Sequence, residues 1–544
     1  MFRARSAAIL AIAFALAPRA LAGQFRLWQP LVAIGDAADD RVRLSQITSG
    51  SASGAYLLRS ASVLTPALPG DSARLRWAFI TPEITTVDNS ALPFSLNDGA
   101  LWAGRGWNGR IRGGIRAEWG RWFVILAPEL LASENRPYAL ANPLTVPTRP
   151  VDRSPLASPW HLSPSIDAPL RFGSDAFGVL DPGQSVIGVR FGSFTAGAAS
   201  ENEWWGPGIR NAIVLSNNAP GIPRVFIRTR RPLRVPGGRL HGTWFLGGLT
   251  ESRDFDTNPY NNRRSISGGA LVWNANFDPG LSLGLARTVY GALQTWWDLP
   301  QHVFDLARGQ GAAGVPRDQL FSLFGRWVFP SDRFAVHFEW ARTEIPRSLR
   351  DLLTAPNHSQ GYTLGLEWVA PTRSADLGRA FLRLQAEATY LERSPSYRDR
   401  PLGSFYTSTT VIQGYTQRGQ VIGAAIGQGG SGQWIAADYF APRWRAGLSI
   451  GRIRWDDDAL YTFPTPYTAL DQNKWCSHDV SVFAQLTAAF DRGWGRIQVA
   501  MTRGERLNVF FGNLTQCDLV PNPLAIRDAR PTTLELRFSP ALTK

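Results

Sequence analysis

The chain of 544 residues holds only two cysteines, two methionines and six histidines, and just two of its 57 basic residues are lysines, Lys474 and Lys544. So few cysteines exclude a disulfide-stapled scaffold and any Cys-rich zinc or iron–sulfur module. The histidines (His161, His241, His302, His337, His358, His478) contain no pair at metal-ligand spacing, so neither a metal nor a cofactor is expected. Long hydrophobic runs are also missing. The longest, Ala7 to Ala17, falls well short of the roughly 20 residues a membrane-spanning helix needs. Charged residues make up only 18% of the chain against 44% apolar, a balance that suits a large ordered structure rather than disorder. The formal charge of +14 fits an anionic partner such as lipopolysaccharide, an acidic polysaccharide or nucleic acid. A preference for Arg over Lys this strong is also what a genome of biased base composition produces, so charge alone does not choose among them.

The N-terminus reads as an address. Arg3 and Arg5 precede the apolar stretch Ala7–Ala17, and Ala20-Leu21-Ala22 supplies an A-x-A cleavage site, so residues 1–22 are expected to be a removed export signal. No cysteine follows the site, and a lipid anchor is not indicated. In an oxidising compartment Cys476 and Cys517 could pair, although spacing alone cannot show it.

Beyond residue 110 the side chains alternate. Ile111, Ile115 and Trp119 share one face and Arg110, Arg112, Arg116 and Glu118 the other. The same period joins Phe334, Val336, Phe338 and Trp340 against His337 and Glu339, and Tyr362, Leu364, Leu366 and Trp368 against Thr363 and Glu367. It returns in Leu382–Tyr390, Val480–Ala488 and Leu534–Phe538. Period two with one apolar face means strands. The segments run to roughly 9–11 residues, the length of a tilted bilayer crossing, and aromatics recur at their ends, as in the interfacial girdles of a membrane barrel. The expectation is an all-β, transmembrane antiparallel β-barrel with apolar side chains towards lipid and a polar lumen. Residues 23–70 are less strand-like and are expected to form a small N-terminal periplasmic segment, in which Asp39 to Thr48 reads as a short helix or cap. Residues 71–544 form the barrel with its long loops. The longest of these, Ala132 to Pro182, is rich in proline and has little periodicity, a composition typical of functional loops and plugs.

Three motif matches fail on context. Gly104–Gly109 fits G-x-G-x-x-G, but a strand rather than a helix comes after it. Gly447-Leu448-Ser449-Ile450-Gly451 fits the nucleophile elbow but lies inside an alternating run, which makes Ser449 a wall residue. Glu201 and Glu203 beside Trp204 and Trp205 could in principle serve glycoside hydrolysis, but neither has a mechanism-specific context. The simpler expectation is a strand ending in an interfacial Trp pair and a Gly206-Pro207-Gly208 turn, with possible sugar contact. No catalytic residue is assigned and the chain is not expected to be an enzyme.

Trp204-Trp205-Gly206-Pro207-Gly208, with Ser216-Asn217-Asn218-Ala219-Pro220 after it, resembles the capsule assembly Wzi family of outer-membrane proteins. Asn97–Gly106, Ala127-Pro128-Glu129 and Gly414–Gly427 agree in order. The resemblance implies an outer-membrane barrel of about eighteen strands that binds capsular polysaccharide and helps to hold it at the cell surface. It departs from the pattern in residues 24–70, which read poorly as a helical element, and at the C-terminus, where Phe538 is followed by Ser-Pro-Ala-Leu-Thr-Lys.

Sugar recognition calls for flat rings and planar hydrogen-bond partners. Trp102, Trp107, Trp204 and Trp205 supply rings, and Asp98, Arg105, Arg210, Asn217 and Asn218 supply polar partners, with Arg suited to uronate carboxylates. Each also has a plain structural use as girdle, lumen lining or turn. The expected partners are capsular or exopolysaccharide, outer-membrane lipid and lipopolysaccharide, and the barrel-insertion machinery, with no nucleic acid. Two alternatives stay open: a porin-like channel for small anions, and an outer-membrane hydrolase. Loops folded into the lumen would favour the anchor, and an open pore the channel.

Overall fold

The computed structural model describes residues 28–49, 54–140, 156, 166–308, 316–346, 348–371, 380–459, 478–511 and 528–542. The export signal, Cys476 and Cys517 lie outside the described residues.

Eighteen antiparallel strands close into a barrel. They are β1 (Arg76–Asn89), β2 (Gly106–Trp119), β3 (Trp122–Leu126 with Glu129–Ser133), β4 (Phe177–Asp181 with Val186–Phe191), β5 (Phe194–Ala199) and β6 (Arg224–Thr229 with Leu233–Val235). Next come β7 (Gly238–Thr250), β8 (Arg263–Ala275), β9 (Leu281–Ala292), β10 (Arg317–Phe329), β11 (Phe334–Arg342) and β12 (Gln360–Pro371). The wall is completed by β13 (Phe381–Tyr390), β14 (Ser431–Phe440), β15 (Trp444–Arg454), β16 (Val480–Arg492), β17 (Gly495–Leu507) and β18 (Thr532–Pro540). β3 breaks at Ala127-Pro128, where the proline has no N–H for the ladder, and β4 breaks beside it at 182–185. Pairing of Thr533–Phe538 with Ile84–Asn89 shuts the seam, and Trp28–Gln29 adds a short parallel stretch beside Phe79–Ile80.

The pleat sorts the side chains as the alternation requires. Leu271, Leu285, Leu323, Leu364, Ile435, Leu486 and Leu534 face outward and are exposed, whereas Arg110, Arg326, Glu367, Arg383, Asp438 and Thr533 face inward and are buried. This is the inside-out pattern of a membrane barrel, because lipid takes the apolar face and the enclosed lumen the polar one. Trp119, Trp122, Trp327, Trp368, Trp444 and Trp494 form an exposed aromatic ring at one end. Connections at that end are as short as 120–121, 192–193 and 236–237, the hallmark of the periplasmic side. The long connections 90–105, 200–223 and 391–430 leave from the other end.

The lumen is filled over much of its cross-section. Helix α1 (Ala37–Ser49) lies inside the wall towards the short-turn end. Its Leu44 and Ile47 pack on Val328, Ala335 and Val369. Its charged face is bound to the polar wall: Arg43 Nε donates to Glu367 Oε1 at 2.7 Å, and Asp40 accepts from Arg383 and Arg445. Those two arginines hold the Asp40 carboxyl down at about 2 despite its burial. The segment read as a helix or cap is therefore a helix that acts as a plug element.

Candidate functional site

The stretch 200–223 does not stay at the rim. Glu203–Trp205 pairs antiparallel with Leu58–Ser60 inside the barrel, so the Trp pair belongs to the plug and not to the interfacial girdle expected from sequence. The reason is partner supply. Trp205 packs on Phe245 with ring centroids 5.5 Å apart and its Nε1 donates to Glu203 Oε2 at 2.8 Å. Trp204 lies 4.9 Å from the Arg59 guanidinium. The two indoles are 2% and 1% exposed. Glu203 pairs with Arg224 at 2.9 Å, and Glu201 accepts from Ser60, Ser62 and Arg228. Both carboxylates are thus engaged in holding the plug.

Beyond Trp205 the chain forms a loop hung on buried carboxylates. Gly206 takes φ +102°, a conformation open to glycine, and brings the chain beside Glu339. The carbonyls of Pro207 and Gly208 accept from Arg43, which ties this loop to α1. The N–H groups of Ile209, Arg210 and Asn211 all donate to the Glu387 carboxylate, at 2.5, 2.9 and 2.8 Å. Ile213 N donates to Glu339 at 3.0 Å, and its carbonyl accepts from Tyr406 Oη at 2.8 Å. Asn217 Nδ2 donates to the carbonyl of Asn97 at 2.9 Å, Asn218 Nδ2 to that of Val421 at 3.0 Å, and Asn97 N to Asn218 Oδ1 at 3.2 Å. Three distant segments, around residues 97, 217 and 421, are thereby stitched together in the lumen.

The plug is eccentric. It packs on the inward faces of β7 to β11 through Phe245, Ile266, Tyr290, Phe324 and Ala341. Against β13 to β18 and β1 to β2 it leaves a polar cavity of about 320 Å³. Asp98, Arg210, Asn217 and Trp204 border this cavity, so four of the nine residues singled out from sequence converge there. Arg210 stacks on Trp434, its guanidinium 4.1 Å from the ring centroid. It is open to the cavity and enters no ion pair among the described residues. Asp98 accepts from Ser95 Oγ at 2.8 Å and Leu96 N at 3.1 Å. Burial, reinforced by the nearby Glu535 carboxylate, pushes its carboxyl up to about 6.

The remaining residues are placed elsewhere. Asn218 holds the plug together, and Trp205 sits in its core. Trp102 packs edge-on against Phe172 at 4.9 Å, and Arg105 donates to the carbonyls of Pro137 and Ser90, which knits two rim loops. Trp107 shares the outward phase of Ile111 and Ile115 and is exposed on the outer wall. Trp434 and Glu387 carried no motif. Only the phase of the alternation, with Ile435 outward and Trp434, Ala436 and Asp438 inward, could have found the former.

Residues 94–290, which carry Asp98, Trp204, Arg210 and Asn217, match the family model of the capsule assembly protein Wzi. Over these residues the chain is similar to the Wzi family. Its fold is similar to that of Wzi from Escherichia coli, an outer-membrane protein involved in group 1 capsule assembly and a carbohydrate-binding β-barrel. The TM-score is 0.52 at 12% identity, with 84% of each chain covered. Similarity also extends to OccAB2 of Acinetobacter baumannii (TM-score 0.36, 10% identity, 84% of this chain and 97% of that one). For OprD of Pseudomonas aeruginosa the figures are 0.36, 11%, 87% and 98%. No curated protein matches the chain by sequence. The family match spans one wall segment, β2 to β9, and the plug loop threaded through it.

Proposed function

We propose that this barrel resides in the outer membrane and binds an exported surface polysaccharide, capsular or otherwise, which it helps to hold at the cell surface without altering it chemically. The observation that carries the reading is a barrel lumen filled by the chain's own loops, one of them within the stretch similar to Wzi, with a polar cavity left beside them. A plugged barrel is suited to holding a chain and poorly suited to bulk passage. The carbohydrate binding described for the similar Escherichia coli barrel supports the choice of ligand class.

The chemistry of the cavity supports an acidic sugar. Arg210, stacked on Trp434 and free of a carboxylate partner among the described residues, suits a uronate or other acidic group by bidentate hydrogen bonding. Asp98 and Asn217 offer partners to hydroxyls. Trp204 and Trp205, with Asn218, act by fixing the loop that carries Arg210. Trp102 and Arg105 lie in the rim loops, where a polymer would approach, and Trp107, facing outward from the wall, is left out of the proposed site. Outer-membrane lipid, lipopolysaccharide and the insertion machinery complete the proposed partners.

The test is retention of the organism's purified surface polysaccharide by vesicle-embedded protein, with Arg210→Ala against wild type. Loss of acidic polymer with a neutral polymer unaffected is expected. Equal retention of both by the two proteins would remove Arg210 from the site.

A further inference from the structure

The connection between β9 and β10 folds where a barrel loop is not expected. On β7 to β10 the outward-facing residues near the long-loop end are Leu246, Ser265, Ser267, Val289, Gln319 and Arg317, and none is more than 9% exposed. Lower on the same strands, Leu271, Leu285 and Leu323, in the same outward phase, are 40–43% exposed. Something covers the upper wall from outside. It is the chain itself: residues 293–308, with a 3₁₀ segment Trp296–His302 of about two turns and a helical turn Asp305–Arg308, lie against the outer faces of β7, β8 and β9.

Its seat is built and polar. A Cβ at Gly248 would fall 2.4 Å from the Trp296 ring, and one at Gly269 would fall 3.1 Å from Leu306, so both outward positions leave room for the covering segment. Arg287, outward on β9, donates to the Leu306 carbonyl at 2.7 Å and to Gln319 at 2.6 Å. Arg317 Nε donates to Asp305 at 3.0 Å, and His302 Nδ1 lies 2.6 Å from the same carboxylate. Thr295 and Asp298 cap the first turn reciprocally. The side turned away from the wall presents large apolar groups flanked by polar ones: Trp297 is 91% and Phe304 65% exposed, with Trp296 also exposed beside them, and Gln294, Thr295, Gln301 and Arg308 are exposed around them.

We infer that this outer-wall segment is a lipid-contacting foot, with Trp297 and Phe304 bedded in the acyl–headgroup boundary of the outer leaflet. Three observations carry this. The segment lies directly above exposed Leu271, Leu285 and Leu323, so its apolar face continues the lipid belt. Its base pairs Asp305 with Arg317 and offers the Leu306 carbonyl to Arg287, which in turn donates to Gln319, so polar groups that would otherwise face hydrocarbon unpaired, at high cost, have partners. Tryptophan beside a polar backing is the side chain that membrane interfaces favour. The occupant is lipid, not a second copy or the polysaccharide, because large aromatics flanked by Gln301 and Arg308, directly above an apolar belt, have the chemistry of the acyl–headgroup boundary. The inference does not depend on what the lumen binds.

The test places nitroxide spin labels at Trp297→Cys and, separately, Phe304→Cys in full-length protein carrying Cys476→Ser and Cys517→Ser. The protein is folded into phosphatidylcholine vesicles with and without lipopolysaccharide in the outer leaflet. Folding is checked by heat-modifiable electrophoretic mobility, and two independent sites guard against one variant failing to fold. Tyr260→Cys, exposed on the 251–262 loop, is the aqueous reference. The expected result is collision with oxygen exceeding collision with a nickel chelate at 297 and 304, with the order reversed at 260. Nickel collision dominating at 297 and 304 would overturn the proposal. So would label–label broadening that vanishes on dilution with unlabelled protein, which would mean that a second copy covers the face.

Discussion

Glu387→Ala should release the loop that closes the lumen while leaving the wall intact. The Glu387 carboxylate receives three consecutive backbone N–H groups, from Ile209, Arg210 and Asn211, and lies 3.2 Å from His337 Nε2. Hydrogen bonds to a charged group contribute about 1.5–3 kcal/mol each, which for three gives about 5–9 kcal/mol. The adjoining cavity lets water reach part of this loop, so the expected loss is nearer to about 4 kcal/mol. At about 1.4 kcal/mol per factor of ten, the ratio of docked to released loop falls on the order of a thousandfold. The strand itself keeps its full ladder to β12 and β14. Two readouts report the release: single-channel conductance in planar bilayers should rise from a low wild-type level to a large, flickering one, and trypsin added on the long-loop side should cut after Arg210. Glu387→Gln should fall between. A conductance and a cleavage pattern unchanged from wild type in Glu387→Ala would refute the idea that this carboxylate holds the plug.

The same contacts set further outcomes. Gly206→Ala forces a side chain into φ +102° and puts a methyl group 3.3 Å from the Glu339 carboxylate; a cost of about 1–2 kcal/mol should lower the unfolding temperature seen by heat-modifiable mobility. Arg43→Ala strips Glu367 of its 2.7 Å partner and the 207–208 carbonyls of their donor; breaking a buried pair costs about 3–5 kcal/mol, and limited proteolysis should find α1 newly accessible. Asp98 has a raised pKa of about 6, so the folded protein favours its neutral form. The stability this group contributes is present below 3.8 and is lost as pH rises through 6. Retention of an acidic glycan should likewise strengthen as pH falls from above 6 to below it, since a negative charge leaves the cavity, and Asp98→Asn should flatten that dependence.

The wall was legible because its physics is periodic. In Phe334–Arg342 the outward Phe338 and inward His337 and Glu339 fall where the alternation puts them, and Ser449 is a wall residue inside β15. The plug was not legible, because residues packed inside a lumen have the same aromatic and polar composition as those at a rim. Trp204 and Trp205 have the sequence signature of a girdle, and only their partners, Arg59, Glu203 and Phe245, place them inside; Arg59 lies 145 residues away along the chain. Chain turned inward obeys no period. The outer-wall segment did leave a trace: the outward phase of β9 and β10 passes from Leu285 and Leu323 to Arg287, Gln319 and Arg317, a switch that hydrocarbon would not tolerate uncovered. Of the nine residues singled out for sugar contact, four border one cavity because the folded path of the loop, not their spacing in sequence, gathers them.

The most direct measurement is the partition of surface polysaccharide between cells and medium in the source bacterium lacking this chain, complemented either by wild type or by Arg210→Ala. If the barrel holds an acidic polymer through its lumen cavity, total synthesis stays constant while the cell-bound share drops in the deletion, is restored by wild type and is not restored by Arg210→Ala. An unchanged cell-bound share in the deletion strain would contradict the account.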